Sequence, residues 1–218
     1  MKKTKYIYSQ MKDINTVIKD ATDYYEKKLK KYGPTSQGVN WNSKESQELR
    51  FKQLIKVLDI NDELFSILDY GCGYGALLGY LDERFQDYDY TGYDSSKAMI
   101  EQAKKLYPDS KWIFNIDDLE RVDFLIASGV FNVKMNYSDT DWTQYVLETL
   151  KQFNELSSKG FSFNILTKYS DKEYMKGNLY YADPLILFDW CKNEISKNVA
   201  LLHDYPLYEF TIVVKKEN

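Results

Sequence analysis

The run from Ile67 to Gly75 (ILDYGCGYG), with an acid further on at Asp94, constrains the fold of this chain more than any other feature. It indicates a buried strand, a glycine turn and the start of a helix, and the acid ends the next predicted strand. Glycines let a backbone approach a ligand closely because they carry no Cβ atom. An acid about twenty residues beyond such a turn is placed to bind the two hydroxyls of an adenosine ribose. The pattern therefore predicts a strand–turn–helix unit that binds an adenosine-containing molecule.

Two kinds of cofactor fit this unit. Gly71, Gly73 and Ala76 also match the dinucleotide pattern G-x-G-x-x-G/A, so spacing alone leaves a nicotinamide or flavin dinucleotide open. Asp69 argues against a dinucleotide, because a carboxylate two residues before the first glycine would repel a pyrophosphate on the turn. S-adenosylmethionine has no phosphate and carries a sulfonium and an ammonium, which a carboxylate attracts. The charge pattern therefore favours S-adenosylmethionine.

Segments 69–75 (DYGCGYG) and 90–96 (YTGYDSS) resemble the first two motifs of the class I S-adenosylmethionine-dependent methyltransferases. The resemblance extends more weakly from about Leu64 to the C-terminal end. It implies an α/β, Rossmann-like methyltransferase fold: a seven-stranded, mostly parallel sheet with an antiparallel last strand and helices on both faces. Residues 1–60 would form an N-terminal helical lid, and residues 61–218 the S-adenosylmethionine-binding core of what is a single domain overall.

The rest of the chain alternates between predicted helices and strands, as a parallel sheet covered by helices requires. The last segment, 201–214, looks like two strands joined around Tyr205 and Pro206. A tight connection cannot join parallel neighbours, so one of these strands must be antiparallel, which the dinucleotide fold does not show. The predicted helices span 14–31 and 43–58, and the predicted strands before this segment span 66–70, 89–93, 111–115, 122–128 and 160–167.

The same resemblance assigns cofactor contacts to the glycine turn and to the carboxyl ends of the strands. Asp94 is expected to bind the ribose hydroxyls, and Ile116 and Asp117 to contact adenine. Asp118 is an alternative to Asp117, and a turn-capping role for Asp117 stays open, because predicted strand ends are uncertain by a residue or two. The predicted cofactor-binding residues of the core are Asp69, Gly71, Cys72, Gly73, Gly75, Asp94, Ser95, Ile116, Asp117 and Ser128.

The segment before the first strand is expected to fold over the cofactor, as in many members of the resembled family. Trp41, Gln47 and Arg50 are its candidate contacts. Arg50 would bind the cofactor's carboxylate, because a planar guanidinium forms two parallel hydrogen bonds with a carboxylate. The alternative is a helix-surface arginine and an anchoring tryptophan. Side chains that would extend this wall are Tyr24, Tyr25, Lys28 and Tyr32.

Methyl transfer is an in-line displacement, so catalysis depends on holding the acceptor close and aligned. An oxygen or nitrogen acceptor that must lose a proton also needs a base. His203, the only histidine, and Tyr181 are the candidate catalytic residues, with Asp183 as an alternative to Tyr181. An acceptor that is already anionic needs no base, and a lone histidine is often structural.

Charge and motif content disfavour a nucleic-acid acceptor. The chain has 29 Lys and Arg against 33 Asp and Glu, a net charge of −4, and so no overall basic field for phosphates. Segment 127–132 (ASGVFN) also lacks the Asn/Asp-Pro-Pro-Tyr-like segment of family members that methylate base or glutamine amines. We therefore expect a small-molecule acceptor.

Composition also bears on location. The sequence has no run of about 18 apolar residues, its start is mostly polar, and two cysteines are too few for a disulfide framework or a zinc site. These features predict a cytoplasmic protein that does not bind a membrane or a metal.

The acceptor is the least constrained part of the prediction. Segment 38–43 (GVNWNS) adds a similarity to small bacterial methyltransferases associated with surface-polysaccharide synthesis. That similarity implies methylation of an oxygen or nitrogen on a sugar or on a nucleotide- or phosphate-linked precursor. An RNA or protein methyltransferase, a noncatalytic cofactor-binding protein and a dinucleotide enzyme remain alternatives.

Overall fold

A computed structural model of the protein describes residues 14–39, 41, 43–58 and 64–216. The helices are α1 (Ile14–Tyr32), α2 (Lys44–Leu54), α3 (Ala76–Asp82), α4 (Lys97–Leu106), α5 (Asp139–Leu156) and α6 (Pro184–Glu194). The strands are β1 (Phe65–Tyr70), β2 (Tyr88–Tyr93), β3 (Lys111–Ile113), β4 (Val122–Ala127), β5 (Ser157–Leu166), β6 (Asn198–Leu202) and β7 (Glu209–Lys215).

The seven strands form one sheet in the order β3-β2-β1-β4-β5-β7-β6. Strands β1 to β5 are parallel to one another, whereas β7 runs antiparallel to both β5 and β6. The predicted methyltransferase topology and its antiparallel last strand are confirmed. Because the chain leaves β1 on one side for β2 and later returns on the other for β4, a crevice opens between the carboxyl ends of β1 and β4, where ligands of such sheets bind.

Helices cover both faces of the sheet, and each face has its own apolar core. On one face α5 and α6 pack on the sheet, with Phe153 and Phe161 fully buried. On the other face α2, α3 and α4 pack on the sheet, with Leu54 and Leu81 fully buried. Helix α1 packs against α4 and sends Val17 into the first core. Of the expected lid, residues 1–13, 40, 42, 59 and 60 lie outside the described residues.

Element ends differ from the sequence prediction where local caps intervene. Strand β3 ends at Ile113, two residues early, because the Asn115 side chain accepts the N–H of Asp117 and starts a 3-10 turn. Helix α2 starts after Ser43, which forms a capping box with Ser46, and it ends at Leu54. Across the residues described, no helix has the length and apolarity to cross a membrane.

Candidate functional site

The glycine turn, residues 71–75, lies between β1 and α3 at the crevice. Gly71, Gly73 and Gly75 have φ angles of 79°, 55° and 87°, a region that side chains other than glycine rarely adopt. A Cβ atom on Gly71 would also lie 2.3 Å from Cγ1 of Val130. The N–H groups of Gly71 and Cys72 donate to the carbonyl of Tyr93 at 2.7 and 2.9 Å, which anchors the turn to the end of β2.

Asp94 follows β2 and connects the turn to α4. Its Oδ2 accepts the N–H of Gly73 at 2.9 Å, and its Oδ1 accepts the N–H of Ser96, the N-cap of α4, at 2.8 Å. Burial raises the pKa of Asp94 to about 6, although these two bonds oppose the shift. Each carboxylate oxygen keeps a second lone pair, so Asp94 can still accept hydrogen bonds from two hydroxyl groups.

Asp69 gives the same crevice a second acid, near the end of β1. It is 2% exposed, and its Oδ2 accepts the Tyr90 hydroxyl at 2.7 Å. Burial raises the pKa of Asp69 to about 7, against the effect of the Tyr90 bond, and Asp94 raises it further. Two buried acids side by side favour a ligand that carries positive charge.

A cavity opens between the glycine turn, the ends of β2 and β4, and the N-terminal helices. Asp69 and Asp94 are the charged residues of its described lining, which contains no lysine, arginine or histidine. The predicted residues that the fold brings to this cavity are Trp41, Gln47, Asp69, Gly71, Cys72, Gly73, Asp94, Ser95 and Ser128.

Helix α1 closes one side of the cavity. The hydroxyls of Thr22 and Ser95 lie 2.7 Å apart, and the Ser96 hydroxyl donates to Oε1 of Glu26 at 2.8 Å. Tyr25, a predicted wall residue, lines the cavity as well. The role of Thr22 was missed, because no sequence signal connects a helix threonine to a serine 73 residues away.

Ser128, directly after β4, points to a missing polar partner. Its Oγ is the one buried side-chain nitrogen or oxygen without a hydrogen bond among the residues that the structure describes. Ser128 lines the cavity, and buried hydroxyls are normally paired. A polar group of a bound ligand would supply that partner.

Arg50 does not fulfil its expected role as a ligand of the cofactor's carboxylate. It is 6% exposed and absent from the cavity lining, and its Nε lies 2.8 and 2.9 Å from the two carboxylate oxygens of Glu209. Its Nη1 donates to the Ser46 carbonyl at 2.7 Å. Because an internal carboxylate already occupies the guanidinium, that prediction is corrected: Arg50 is a buried structural partner.

Three other predicted cofactor contacts lie outside the cavity lining. Gly75 is the N-cap of α3, where a Cβ atom would lie 2.6 Å from the Trp112 ring, so packing explains this glycine. Ile116 packs against the apolar core and Asp117 is exposed, both on the 3-10 turn after β3. That turn begins earlier than the sequence indicates, since β3 is shorter than predicted.

Comparison with known proteins agrees with this geometry. A family model described as a methyltransferase domain matches residues 67–156. Rv1506c of Mycobacterium tuberculosis, which is named as a methyltransferase, is 50% identical over 155 residues, covering 70% of this chain and 93% of the relative. The chain belongs to the class I S-adenosylmethionine-dependent methyltransferases.

Solved structures share the methyltransferase fold at low identity. The plantazolicin methyltransferase BpumL, solved with a pentazolic desmethylPZN analog and S-adenosylhomocysteine, has a TM-score of 0.59 and 15% identity, covering 92% of this chain and 98% of that chain. Magnesium protoporphyrin IX methyltransferase from Synechocystis PCC 6803, solved with S-adenosylmethionine, has a TM-score of 0.50 and 11% identity, covering 96% and 88%.

Neither predicted catalytic residue of the methyltransferase reaches the cavity. His203 is exposed after β6, and its ring centre lies 5.9 Å from those of Tyr169 and Phe210. Tyr181 accepts the N–H of Lys176 at 2.9 Å through its hydroxyl. Asp183 caps α6 and forms an ion pair with Lys168. None of these candidates is therefore among the described residues that line the cavity.

Proposed function

We propose that this methyltransferase transfers a methyl group from S-adenosylmethionine to an oxygen or nitrogen of a small molecule. The observation that carries the proposal is the cavity wall, which contains Asp69 and Asp94 and, among the described residues, no basic side chain. Such a wall attracts a sulfonium and an ammonium, and it repels the phosphates of RNA or of a dinucleotide. Enclosure by α1 further favours a small acceptor over a macromolecule.

Different residues of the cavity would each bind a different part of S-adenosylmethionine. Asp94 would accept the two ribose hydroxyls, because each of its oxygens has a lone pair left. Asp69 would attract the ammonium directly or through water, and the glycine turn would pass close to the methionine portion. The unpaired hydroxyl of Ser128 would bind a polar group of the cofactor or acceptor.

Catalysis would rest on positioning. When bound, S-adenosylmethionine supplies an electrophilic methyl group, whose bond to sulfur breaks as the acceptor's lone pair forms a new bond to carbon. Helix α1 and Trp41 would exclude water and hold the acceptor in line with that bond. With no histidine or lysine in the described wall, an acceptor proton would leave to solvent once the new bond to carbon has formed. The acidic wall disfavours an acceptor that enters as an anion.

For the acceptor, we propose a sugar or a nucleotide- or phosphate-linked precursor of a bacterial surface polysaccharide. The similarity of segment 38–43 to methyltransferases of that kind supports this class, and Val39 and Trp41 of this segment line the cavity. Asn40 and Asn42 lie outside the described residues. Because the wall is acidic, the sugar would enter the cavity and a linked phosphate would stay outside it.

Calorimetric titration tests the cofactor assignment. We expect S-adenosylhomocysteine to bind the protein and Asp94→Ala to abolish binding, while NAD, the control ligand, does not bind. Preferential binding of NAD would overturn the assignment. A screen for S-adenosylhomocysteine release then compares nucleotide-linked sugars with an RNA oligonucleotide and a peptide mixture. Turnover with RNA or peptide only would replace the small-molecule proposal with the macromolecular alternative.

A further inference from the structure

A buried chain of polar contacts connects α2 to the loop after β4. Arg50 on α2 forms an ion pair with Glu209 at the start of β7. Nδ2 of Asn164 on β5 donates to Oε1 of Glu209 at 3.0 Å, and Oδ1 of Asn164 accepts the N–H of Gly129 at 2.8 Å. Glu209 and Asn164 are fully buried, so these contacts are shielded from water. This series of polar contacts ends at Gly129, next to Ser128, the residue with the unpaired hydroxyl.

Trp41 contacts both ends of this series of polar contacts, Arg50 and Gly129. Cζ of Arg50 lies 3.9 Å from the centre of the Trp41 ring system, a cation–π contact. The same ring covers Gly129 so closely that a Cβ atom there would lie 2.4 Å from ring carbons. Trp41, Ser128 and Gly129 all line the cavity, whereas Arg50, Glu209 and Asn164 do not. The polar contacts therefore lie behind two parts of the cavity wall that touch each other, Trp41 and the Ser128–Gly129 loop.

The residue types fit this arrangement closely. An asparagine amide can donate to Glu209 and accept from Gly129 at once, which neither aspartate nor leucine can do. An arginine can pair with Glu209 through its edge while its flat face stacks on Trp41, which lysine cannot do. A buried carboxylate is tolerated only while its partners remain, so loss of one contact disturbs the others.

We propose that Arg50, Glu209 and Asn164 form a positioning network that holds the Ser128–Gly129 loop and Trp41 in the geometry that binds the cofactor. The inference rests on the proposed function of the cavity. The three residues act through the wall and touch no ligand. Asn164 fixes the loop by its bond to the Gly129 N–H, and Arg50 fixes Trp41 by stacking.

The test compares two buried substitutions on one face of β5. Asn164→Leu removes both amide contacts of the network. Ser162→Ala, the matched control, removes a buried hydrogen bond from the Ser162 hydroxyl to the Leu54 carbonyl, 2.8 Å long, away from the cavity. For both variants we would measure the unfolding temperature, the affinity for S-adenosylhomocysteine and amide hydrogen exchange in peptides that contain Gly129.

Both variants should unfold at a lower temperature, but only Asn164→Leu should bind about tenfold more weakly and exchange faster at Gly129. Arg50→Lys, which keeps the charge next to Glu209, should also weaken binding of S-adenosylhomocysteine. If Asn164→Leu does not fold, the affinity of Arg50→Lys tests the network instead. Unchanged affinity in both Asn164→Leu and Arg50→Lys, or an equal loss in Ser162→Ala, would overturn the network. Failure of the wild-type protein to bind S-adenosylhomocysteine would instead overturn the proposed function.

Discussion

Oδ2 of Asp94 accepts the N–H of Gly73 at 2.9 Å, so the acid of the second sequence motif holds the turn of the first. The two residues are 21 positions apart, and β1 and β2 bring them together as parallel neighbours. Asp94 thus shapes the backbone that approaches the ligand and is itself placed to bind the ligand. A substitution of Asp94 should therefore disturb both the backbone of the turn and the binding of the ligand.

Asp94→Asn should weaken the binding of S-adenosylhomocysteine by about 100-fold, since bonds to a charged acceptor are worth about 1.5–3 kcal/mol each. The new amide N–H₂ would also face the N–H of Gly73 or of Ser96 without an acceptor. Calorimetry measures the affinity. Asp89→Asn, which changes an exposed acid on the same strand, is the control and should bind normally. Similar affinities for the two variants would contradict a ligand role for Asp94.

The two buried acids should make stability and binding respond to pH in opposite directions. Their pKa values are raised by burial, to about 7 for Asp69 and about 6 for Asp94. The folded protein therefore binds these protons more tightly than the unfolded chain does, and their contribution to the free energy of unfolding is lost as the pH rises toward 7. Binding of cationic S-adenosylmethionine requires ionised acids, so its affinity should increase over the same range.

This pH dependence can be measured by thermal unfolding and calorimetry between roughly pH 5.5 and 8. Asp69→Asn keeps an acceptor for the Tyr90 hydroxyl but cannot ionise. In this variant, the pH dependence of stability and the pH dependence of affinity should each lose the contribution of Asp69. A variant with the full wild-type pH dependence would show that other groups cause it.

Gly71→Ala should destabilise the protein by at least about 2 kcal/mol, because the left-handed backbone alone costs about 1–2 kcal/mol and the methyl group would overlap Val130. It should also abolish binding of S-adenosylhomocysteine. Adding Val130→Ala should recover part of the stability by removing the overlap. Gly177→Ala, where a Cβ atom meets nothing within 4 Å, is the control in chemical denaturation. Equal stability of the two single variants would be evidence against a constrained turn.

Ser128→Ala should have opposite effects on the free protein and on the complex. Removal of an unpaired buried hydroxyl should leave the stability of the free protein unchanged or raise it by up to about 1 kcal/mol. Ligand affinity should fall by about tenfold if the hydroxyl binds the cofactor. Ser157→Ala removes a hydroxyl that donates to the Phe153 carbonyl at 2.7 Å and should destabilise the protein instead. A destabilised Ser128→Ala with normal affinity would exclude the ligand role.

The fold was predictable because its signals are local. The glycine turn, the alternation of elements and the reversal around Tyr205 each lie within one short segment, and together they predict the observed sheet. The C-terminal ends of β3 and α2 were not predicted correctly. Helix α2 tightens after Leu54 into a 3-10 turn, Ile55–Val57, which the sequence pattern does not distinguish from the helix, and a single side chain ends β3. Asn115 accepts a backbone N–H after β3, and such a cap competes with continued strand pairing.

The site was predictable only in part, for the same reason. Asp69 and Asp94 lie in motifs, whereas Thr22 lines the cavity from a distant segment that carries no motif. Glu26 and Glu209 also come from segments without a motif, and they bond to Ser96 and Arg50 behind the cavity wall. Arg50 illustrates the limit. Its side chain suits a carboxylate, but the sequence cannot tell a cofactor's carboxylate from that of Glu209, 159 positions away.

The place of β7 in the sheet has a consequence for how the protein is made. This strand lies between β5 and β6 although it follows both in the chain. During synthesis the glycine turn and Asp94 emerge early, while β5 keeps an unpaired edge and Arg50 lacks its carboxylate partner until β7 emerges. A nascent chain that carries both cofactor motifs is therefore still an unfinished enzyme, with an edge open to wrong strand pairing until its last strand inserts.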